Sequence, residues 1–334
     1  MDFIMIERSG LNDGKNKKPI IETDESRNLS LCDISADDIT PASEHTGTGA
    51  KKKDIMRKIL LYTSAAVFIF CAAMFVYTLY DHSRAQDIYD DLDNFMFENQ
   101  ITAVPHSIAA TSDSPLPDFD SMRSFRGNSD NVSSTSSSLS GYIAVMRAKI
   151  SSLKARNDDV VGYISVPNTK ISYPIMHSSD NEYYLNHDYL GGYRLSGSIF
   201  LDYRNFDDIP INENSCIYGH NLTNGNMMNN IMNFLDEEFF NENKYVEIIT
   251  EKGLYTYLIF AVYKTNMYSD YITTYFPTTE DVCEFARQQQ ERSLYKREGV
   301  EFKPGTKLLT LSTCTNILQE ERYTLQAVLV SHDE

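Results

Sequence analysis

The most uniform apolar segment of the sequence is the uncharged run from Ile59 to Tyr80. As an α-helix rising about 1.5 Å per residue, its 22 residues match the roughly 30 Å hydrocarbon layer of a bilayer. The run lies far from the start of the chain, and Tyr80, Asp81 and His82 do not form the small-residue cleavage site of a signal peptide. We therefore predict a transmembrane helix over residues 57–80.

Charges on the two sides of this run predict its orientation. The N-terminal side is basic and the C-terminal side is acidic, with Lys51, Lys52, Lys53, Arg57 and Lys58 before the run and Asp81, Asp87, Asp90 and Asp91 after it. Positive residues are retained on the cytoplasmic side of membranes. The pattern predicts a single-pass protein of the cell membrane, with its N-terminus in the cytoplasm and everything after Tyr80 outside.

Polar segments flank the predicted membrane helix on both sides. Residues 1–56 lack apolar periodicity, which is typical of a disordered tail. Beyond the membrane, Ile88, Leu92 and Phe95 recur at helical spacing, but prolines and the serine-rich run NSDNVSSTSSSLSG follow. We interpret residues 81–140 as an extracellular stalk and residues 141–334 as the folded domain.

The domain has the hydrophobic pattern of a mainly β protein. Eight short β-rich runs are separated by turn-forming residues, and they lie at 160–166, 171–176, 197–202, 215–218, 244–250, 253–263, 307–312 and 323–330. Eight strands in one domain favour a closed or nearly closed β-barrel, because closure leaves few exposed strand edges.

A few helices accompany these strands. An apolar stripe at three- and four-residue steps predicts an opening helix, and its members are Ile143, Met146, Ile150 and Leu153. A second helix is predicted at 279–292, where Thr278 caps its start and acidic residues suit its first turn. A shorter helix is predicted near 227–235.

Overall charge excludes some functions. The chain of 334 residues has a formal net charge of −17, which argues against nucleic-acid binding because phosphate backbones require clustered Lys and Arg. The one dense basic run is explained by the membrane. The acids Asp202, Asp207 and Asp208 lack calcium-loop spacing and are interpreted as solvated loop charges. No metal or cofactor is predicted.

Candidate chemistry begins at the segment TLSTC, which ends at Cys314 just past an apolar strand. The next strand begins near Arg322 after a short loop. If the two strands form an antiparallel hairpin, these two residues are directly opposed, on the order of 5 Å apart. A guanidinium placed there can reach the oxygen of a carbonyl that the thiol attacks, which is the geometry of acyl transfer.

A cysteine nucleophile also needs a proton acceptor and donor. His220 follows the strand SCIY in the sequence IYGHN, where Gly219 permits a sharp turn and the ring can project at the barrel mouth. The other histidines in the predicted extracellular part have less distinctive positions: before the domain (His82, His106), in a polar loop (His177, His187) or at a fraying terminus (His332).

IYGHN, TLSTC and an arginine before the next strand resemble the signature of sortases, with class B nearest. The resemblance covers residues 142–331. It implies an eight-stranded sortase-type β-barrel with an N-terminal helix and one long helix inserted before the catalytic strand. It also implies that Cys314 attacks a threonine carbonyl in a sorting signal to form a thioacyl enzyme, that His220 shuttles protons and that Arg322 stabilises the oxyanion.

The resemblance further implies the partners of the enzyme. These are surface proteins that bear a C-terminal sorting signal, and a peptidoglycan-precursor amine of a Gram-positive cell wall. Substrate contacts are expected from Ser312, Thr313 and Asn221, and the segment 264–306 is expected to help set substrate choice. Class B members often have an acidic residue after the cysteine, where this chain has Thr315.

Alternative interpretations remain open at this stage. Taken alone, Cys314 is more typical of a small buried core residue than of a nucleophile. Cys216 and Cys283 are interpreted as packing residues, and the sequence leaves open a disulfide between them. Other functions that fit are a membrane-tethered cysteine endopeptidase and a non-catalytic envelope-binding module.

Overall fold

The computed structural model describes residues 48–97 and 132–334. The predicted tail up to residue 47 and residues 98–131 of the predicted stalk lie outside the described residues. The chain divides into two compact units, Met1–Ala65 and Ala66–Glu334. In the described part of the first unit, residues 48–65 are helical and belong to α1, which spans Thr48–Phe97.

Helix α1 changes character along its length. Residues 52–80 are exposed, and the helix is long and apolar enough to cross a membrane. From Asp81 onward one face is buried, with Ala85, Tyr89, Leu92 and Met96 all less than 9% exposed. The segment interpreted as a stalk therefore starts with a packed helix, because its apolar residues recur every three or four positions and form one stripe.

Eight strands form a closed barrel in the order β1-β2-β3-β4-β7-β8-β6-β5, with β1 and β5 pairing to close it. The predicted fold class is confirmed. Pairs β2/β3 and β4/β7 are parallel, whereas the other neighbours are antiparallel. The strands are β1 Val160–Ser165, β2 Ser172–His177, β3 Ile199–Leu201, β4 Asn214–Tyr218, β5 Tyr245–Thr250, β6 Gly253–Asn266, β7 Leu308–Cys314 and β8 Glu321–Asp333.

The last strand is longer than the sequence pattern indicates. Strand β8 pairs with β6 as far as Leu254↔Asp333. His332 therefore lies within a strand, and its ring stacks on Tyr255 with centroids 4.2 Å apart. Our assignment of His332 to a fraying terminus is wrong, because pairing with the unusually long β6 extends β8 to the end of the chain.

The helices lie near the predicted places, with one difference in extent and one in type. Helix α2 spans Val132–Lys154 and buries its predicted stripe, but it begins within the serine-rich run that we interpreted as stalk. The helix predicted near 227–235 is a 3-10 helix, Asn229–Leu235, followed by the short α3, Glu237–Glu242. Its buried residues, Ile231 and Phe234, are three apart, which is the spacing that eclipses in a 3-10 helix.

The segment between β6 and β7 covers the outside of the barrel. Its long helix α4, Thr279–Arg292, starts with the expected Thr278 cap, which forms a reciprocal capping box with Asp281. Helix α4 packs Phe285 and its neighbours against Phe260 and Tyr263 of β6. A second apolar cluster thus lies on the outer face, and it holds this insertion beside β7 and β8.

Candidate active site

Three predicted catalytic residues lie at the ends of three neighbouring strands. Strand β7 pairs in parallel with β4 up to Tyr218↔Ser312 and in antiparallel register with β8, where Cys314 is opposite Arg322. The predicted hairpin is confirmed. His220 lies two residues beyond the end of β4, just as Cys314 lies two residues beyond Ser312 on β7, and adjacent strands are about 4.8 Å apart. The backbones of all three residues therefore meet at one end of the barrel.

Hydrogen bonds on both sides of His220 tie its backbone to the cysteine strand. Thr313 Oγ1 donates to the carbonyl oxygen of Gly219 at 2.7 Å, and Asn221 Nδ2 donates to that of Cys314 at 2.8 Å. A Cβ on Gly219 would lie 2.4 Å from Ile199 Cδ1. A larger residue there would force the Ile199 and Met228 side chains to move, so glycine lets the chain pass close to β3 on its way to His220.

The His220 ring is fixed by a backbone carbonyl. Its Nε2 lies 2.7 Å from the carbonyl oxygen of Leu185, at the end of a short 3-10 turn, Tyr183–Leu185. A carbonyl oxygen only accepts hydrogen bonds, so Nε2 carries a proton. Nδ1 is then the ring nitrogen left without a proton and able to accept a hydrogen bond.

Cys314 differs in accessibility from the other two cysteines of the domain. It is half-buried at the strand end, whereas Cys216 and Cys283 are buried. All three are free thiols, and the disulfide that the sequence left open between Cys216 and Cys283 is therefore not formed. Burial raises the pKa of the Cys216 thiol well above its usual range. Of these three thiols, Cys314 is the one that a peptide can approach.

The guanidinium of Arg322 is held by the loop that leads into β8. Nη1 donates to the carbonyl oxygens of Gln319 at 2.8 Å and Glu321 at 3.0 Å. The ion pairs between described residues do not include Arg322. Its positive charge is therefore positioned without being neutralised by a neighbouring carboxylate, as stabilisation of an oxyanion requires.

Tyr271 joins the site from the β6–β7 insertion, where no sequence motif marks it. Its hydroxyl lies 3.0 Å from Ser312 Oγ. Burial raises the Tyr271 pKa, and the hydrogen bond to Ser312 and the positive charge of Arg322 lower it. The only sequence signal was its place in the aromatic-rich segment 264–306.

A buried carboxylate braces the strand that delivers His220. Asp202 Oδ2 accepts hydrogen bonds from Tyr218 Oη and Arg204 Nη2, both at 2.7 Å, and Arg204 also donates to the carbonyl oxygen of Ile272 at 3.1 Å. Asp202 is 0% exposed, so our interpretation of it as a solvated loop charge is wrong. Burial alone would raise its pKa, but these hydrogen bonds outweigh burial and lower it.

Replacing Arg204 by methionine is expected to lower the free energy of unfolding by up to about 3 kcal/mol, because the buried Asp202 carboxylate loses its charged partner. This loss is at the lower end of the range for a buried ion pair, because the Arg204 side chain is 38% exposed and solvent screens its attraction to Asp202. Thermal unfolding of the full chain in detergent micelles measures the loss.

Arg287→Met is the matched control, since its ion pair with Glu284 is exposed on both sides and is worth less than about 1 kcal/mol. Equal decreases in melting temperature for Arg204→Met and Arg287→Met would contradict a bracing role for Arg204.

The same ion pair predicts a dependence of stability on pH. The Asp202 carboxylate stabilises the fold at pH values above its unfolded pKa of about 3.9. This stabilisation is lost as the pH falls through the pKa of Asp202 in the folded state, which is lower. The difference in the free energy of unfolding between Arg204→Met and the wild type should therefore shrink in strong acid.

The three residues expected to contact substrate are engaged within the protein. Ser312 and Thr313 are each 2% exposed and Asn221 is 7% exposed. They bond to Tyr271, Gly219 and Cys314, respectively. These contacts position the site, and a direct role in substrate binding stays a prediction. In the described residues, no group of three or more His, Cys, Asp and Glu side chains has a geometry that holds a metal ion.

Comparison with known proteins identifies the family to which the chain belongs. The sortase domain family matches residues 164–330. Sortase B of Listeria monocytogenes is 36% identical over 190 residues, covering 56% of this chain and 76% of that protein. The crystal structure of Clostridium perfringens sortase B superposes with a TM-score of 0.52 and 34% identity, covering 54% of this chain and 99% of that one. A sortase B structure complexed with triglycine has a TM-score of 0.51 and 29% identity, covering 56% and 87%. The chain described here therefore belongs to the sortase family and is class B-like.

Proposed function

We propose that this protein is a sortase transpeptidase that cleaves a C-terminal sorting signal and joins the surface protein to a cell-wall amine. The observation that carries the proposal is the position of Cys314 between His220 and Arg322 at one end of the barrel. A thiol, an imidazole and a guanidinium are the groups that acyl transfer through a covalent intermediate requires.

In the first half of the reaction, the Cys314 thiol gives its proton to His220 Nδ1, and its sulfur attacks the carbonyl carbon of a threonine in the sorting signal. The carbonyl oxygen becomes an oxyanion, which the Arg322 guanidinium stabilises. The carbon–nitrogen bond then breaks, and His220 gives the proton on Nδ1 to the departing amine. The products are a thioester on Cys314 and a free C-terminal fragment.

In the second half, an amine attacks the thioester carbonyl. His220 Nδ1 takes a proton from the attacking nitrogen, and Arg322 stabilises the oxyanion a second time. The carbon–sulfur bond breaks, the new amide is released, and Nδ1 returns its proton to the Cys314 sulfur. Covalent catalysis replaces one difficult displacement with two easier ones, and the same His220 nitrogen serves both.

Substrate choice is assigned to the rim around Cys314. The loop between Cys314 and Arg322 presents Ile317 and Leu318, which are 71% and 60% exposed. The β6–β7 insertion is the neighbouring element, and it places the buried Tyr271 against Ser312. A relative crystallised with triglycine supports a glycine-terminated peptidoglycan precursor as the amine, and the apolar rim supports an apolar residue in the sorting signal.

The proposed location is the outer face of the cell membrane of a Gram-positive bacterium. The helix of residues 57–80 is assigned to the bilayer, with residues 1–56 in the cytoplasm and residues 81–140 and 141–334 outside as connector and catalytic domain. The apolar length of α1 supports the anchor, and the basic residues before it support the orientation.

Incubating the full chain with LPxTG-like and NPxTx-like peptides, with and without triglycine, tests the proposed reaction. We expect cleavage of one peptide class and, when triglycine is present, a ligated product that mass spectrometry detects. Cleavage without ligation would support a membrane-tethered endopeptidase. Absence of cleavage across the panel, with peptide binding retained, would support a non-catalytic envelope-binding module.

A further inference from the structure

We propose that a loop at the barrel mouth rests on the outer surface of the bilayer that holds α1. This membrane-facing loop consists of residues 188–195, and the partner that it contacts is the lipid interface itself. The inference depends on the proposed membrane anchoring of α1. It adds a second contact between the catalytic domain and the membrane.

The loop is bonded to the residue that follows the apolar run. Residues 52–80 of α1 are exposed, and burial begins abruptly at Asp81, which is 4% exposed. Asp81 Oδ2 accepts a hydrogen bond from the backbone N–H of Leu195 at 2.9 Å. Because Asp81 is the first residue after the run, Leu195 lies at the level where α1 leaves the hydrocarbon layer.

Internal contacts give the membrane-facing loop a fixed shape. Asp188 is 2% exposed and accepts from the backbone N–H of Leu190 at 3.0 Å and of Gly192 at 2.9 Å. Arg194 lies between two carboxylates, with its Nε 3.6 Å from Asp188 and its Nη1 4.0 Å from Asp81. The loop therefore presents the same side chains outward rather than changing shape.

The side chains that it presents are large and apolar. Leu190, Tyr193 and Leu195 are 48%, 47% and 43% exposed. Tyrosine is enriched where membranes meet water, because its ring is apolar and its hydroxyl is polar, and leucine enters the boundary between headgroups and acyl chains. These three exposed residues lie in one short loop that is bonded to the first residue after the apolar run. A lipid interface at this level would cover their apolar surface.

The candidate active site is linked to the same region. Leu185, whose carbonyl holds His220, lies three residues before the loop. On the other side of His220, Asn226 Nδ2 donates to Gln86 Oε1 of α1 at 2.8 Å. Gln86 is six residues beyond Tyr80, or about 9 Å along a helix. Docking of the loop therefore sets the orientation of the barrel mouth relative to the bilayer.

Tryptophan fluorescence tests this contact directly, because the chain contains no tryptophan. Three single variants of the full chain are placed in phosphatidylcholine vesicles with and without brominated acyl chains, which quench nearby tryptophan. Tyr193→Trp reports on the loop. Phe206→Trp is the control, since Phe206 is 70% exposed in the β3–β4 connection at the opposite end of the barrel. Tyr77→Trp reports on the apolar run.

We expect Tyr193→Trp to be quenched by the brominated lipid and to emit at shorter wavelength than Phe206→Trp, which should stay unquenched. Quenching of Tyr77→Trp without quenching of Tyr193→Trp would overturn the loop contact while leaving the anchor in place. Quenching of both Tyr193→Trp and Phe206→Trp would overturn it too, because it would mean non-specific adsorption. An unquenched Tyr77→Trp would refute the anchor itself.

Discussion

Replacing Cys314 by alanine should abolish cleavage and ligation of a sorting-signal peptide while leaving thermal unfolding nearly unchanged. Removing the nucleophile removes the covalent route, and the loss in comparable triads is at least about 10⁴-fold in kcat. Cys314 is half-buried at a strand end, so truncating its side chain opens little internal cavity. Peptide turnover by mass spectrometry and a melting curve of the same sample measure the two effects.

Cys283→Ala is the matched control for this experiment. Cys283 lies on α4 and is 4% exposed, and we assign it only to packing. It should retain activity with a modest loss of stability. Turnover that persists in Cys314→Ala, or that disappears equally in Cys283→Ala, would remove Cys314 from the mechanism.

The same pair of variants separates an enzyme from a binding module. In the proposed reaction, the wild-type chain forms a thioester with the N-terminal part of the peptide, and intact-mass spectrometry detects the added mass. The adduct should be absent in Cys314→Ala and present in Cys283→Ala. It should disappear from the wild type when triglycine is added, because the amine resolves the thioester.

Replacing Arg322 by methionine should lower kcat by about 10²- to 10³-fold, the usual cost of losing one oxyanion-stabilising donor. KM should change little, because the oxyanion exists only in the transition state and the intermediate. Arg322→Lys should be intermediate, since lysine keeps the charge but lacks the planar fork that matches two oxygens. Steady-state kinetics on the cleaved peptide give both parameters.

Arg287→Met, on the exposed face of α4, controls for the loss of a positive charge elsewhere on the domain. It should leave both kcat and KM unchanged. If Arg322→Met altered KM alone, Arg322 would instead bind the substrate in its ground state. Full activity in Arg322→Met would show that the oxyanion is stabilised by other donors, such as backbone N–H groups.

Local sequence predicted the parts of this protein that depend on neighbours in the chain. Alternation and turn residues located all eight strands, and Thr278 located the start of α4, because both signals act over a few residues. The opposition of Cys314 and Arg322 was also predictable, since a short loop joins β7 to β8 and leaves few possible registers.

Contacts between distant segments were not predictable in this way. The approach of His220 to Cys314 depends on the parallel pairing of β4 with β7, which are separated by the whole β5–β6 hairpin and the insertion. The family resemblance predicted that His220 and Cys314 act together, but no local sequence pattern encodes the register of a parallel strand pair. Tyr271 was missed for the same reason, because it meets Ser312 only when the insertion folds onto the barrel. Asp202 was misinterpreted because Tyr218 reaches it only when β3 pairs with β4.

The sequence by itself determined an apolar helix, the strands of a β-barrel, and a cysteine and an arginine on one hairpin. These features follow from side-chain periodicity and short-range chain geometry. The tertiary structure decided that His220 joins that hairpin, that Asp202 becomes a buried brace and that α1 packs against the domain from Asp81 onward. Each of these depends on burial and on hydrogen bonds between segments far apart in the chain, which exist only after the barrel has closed.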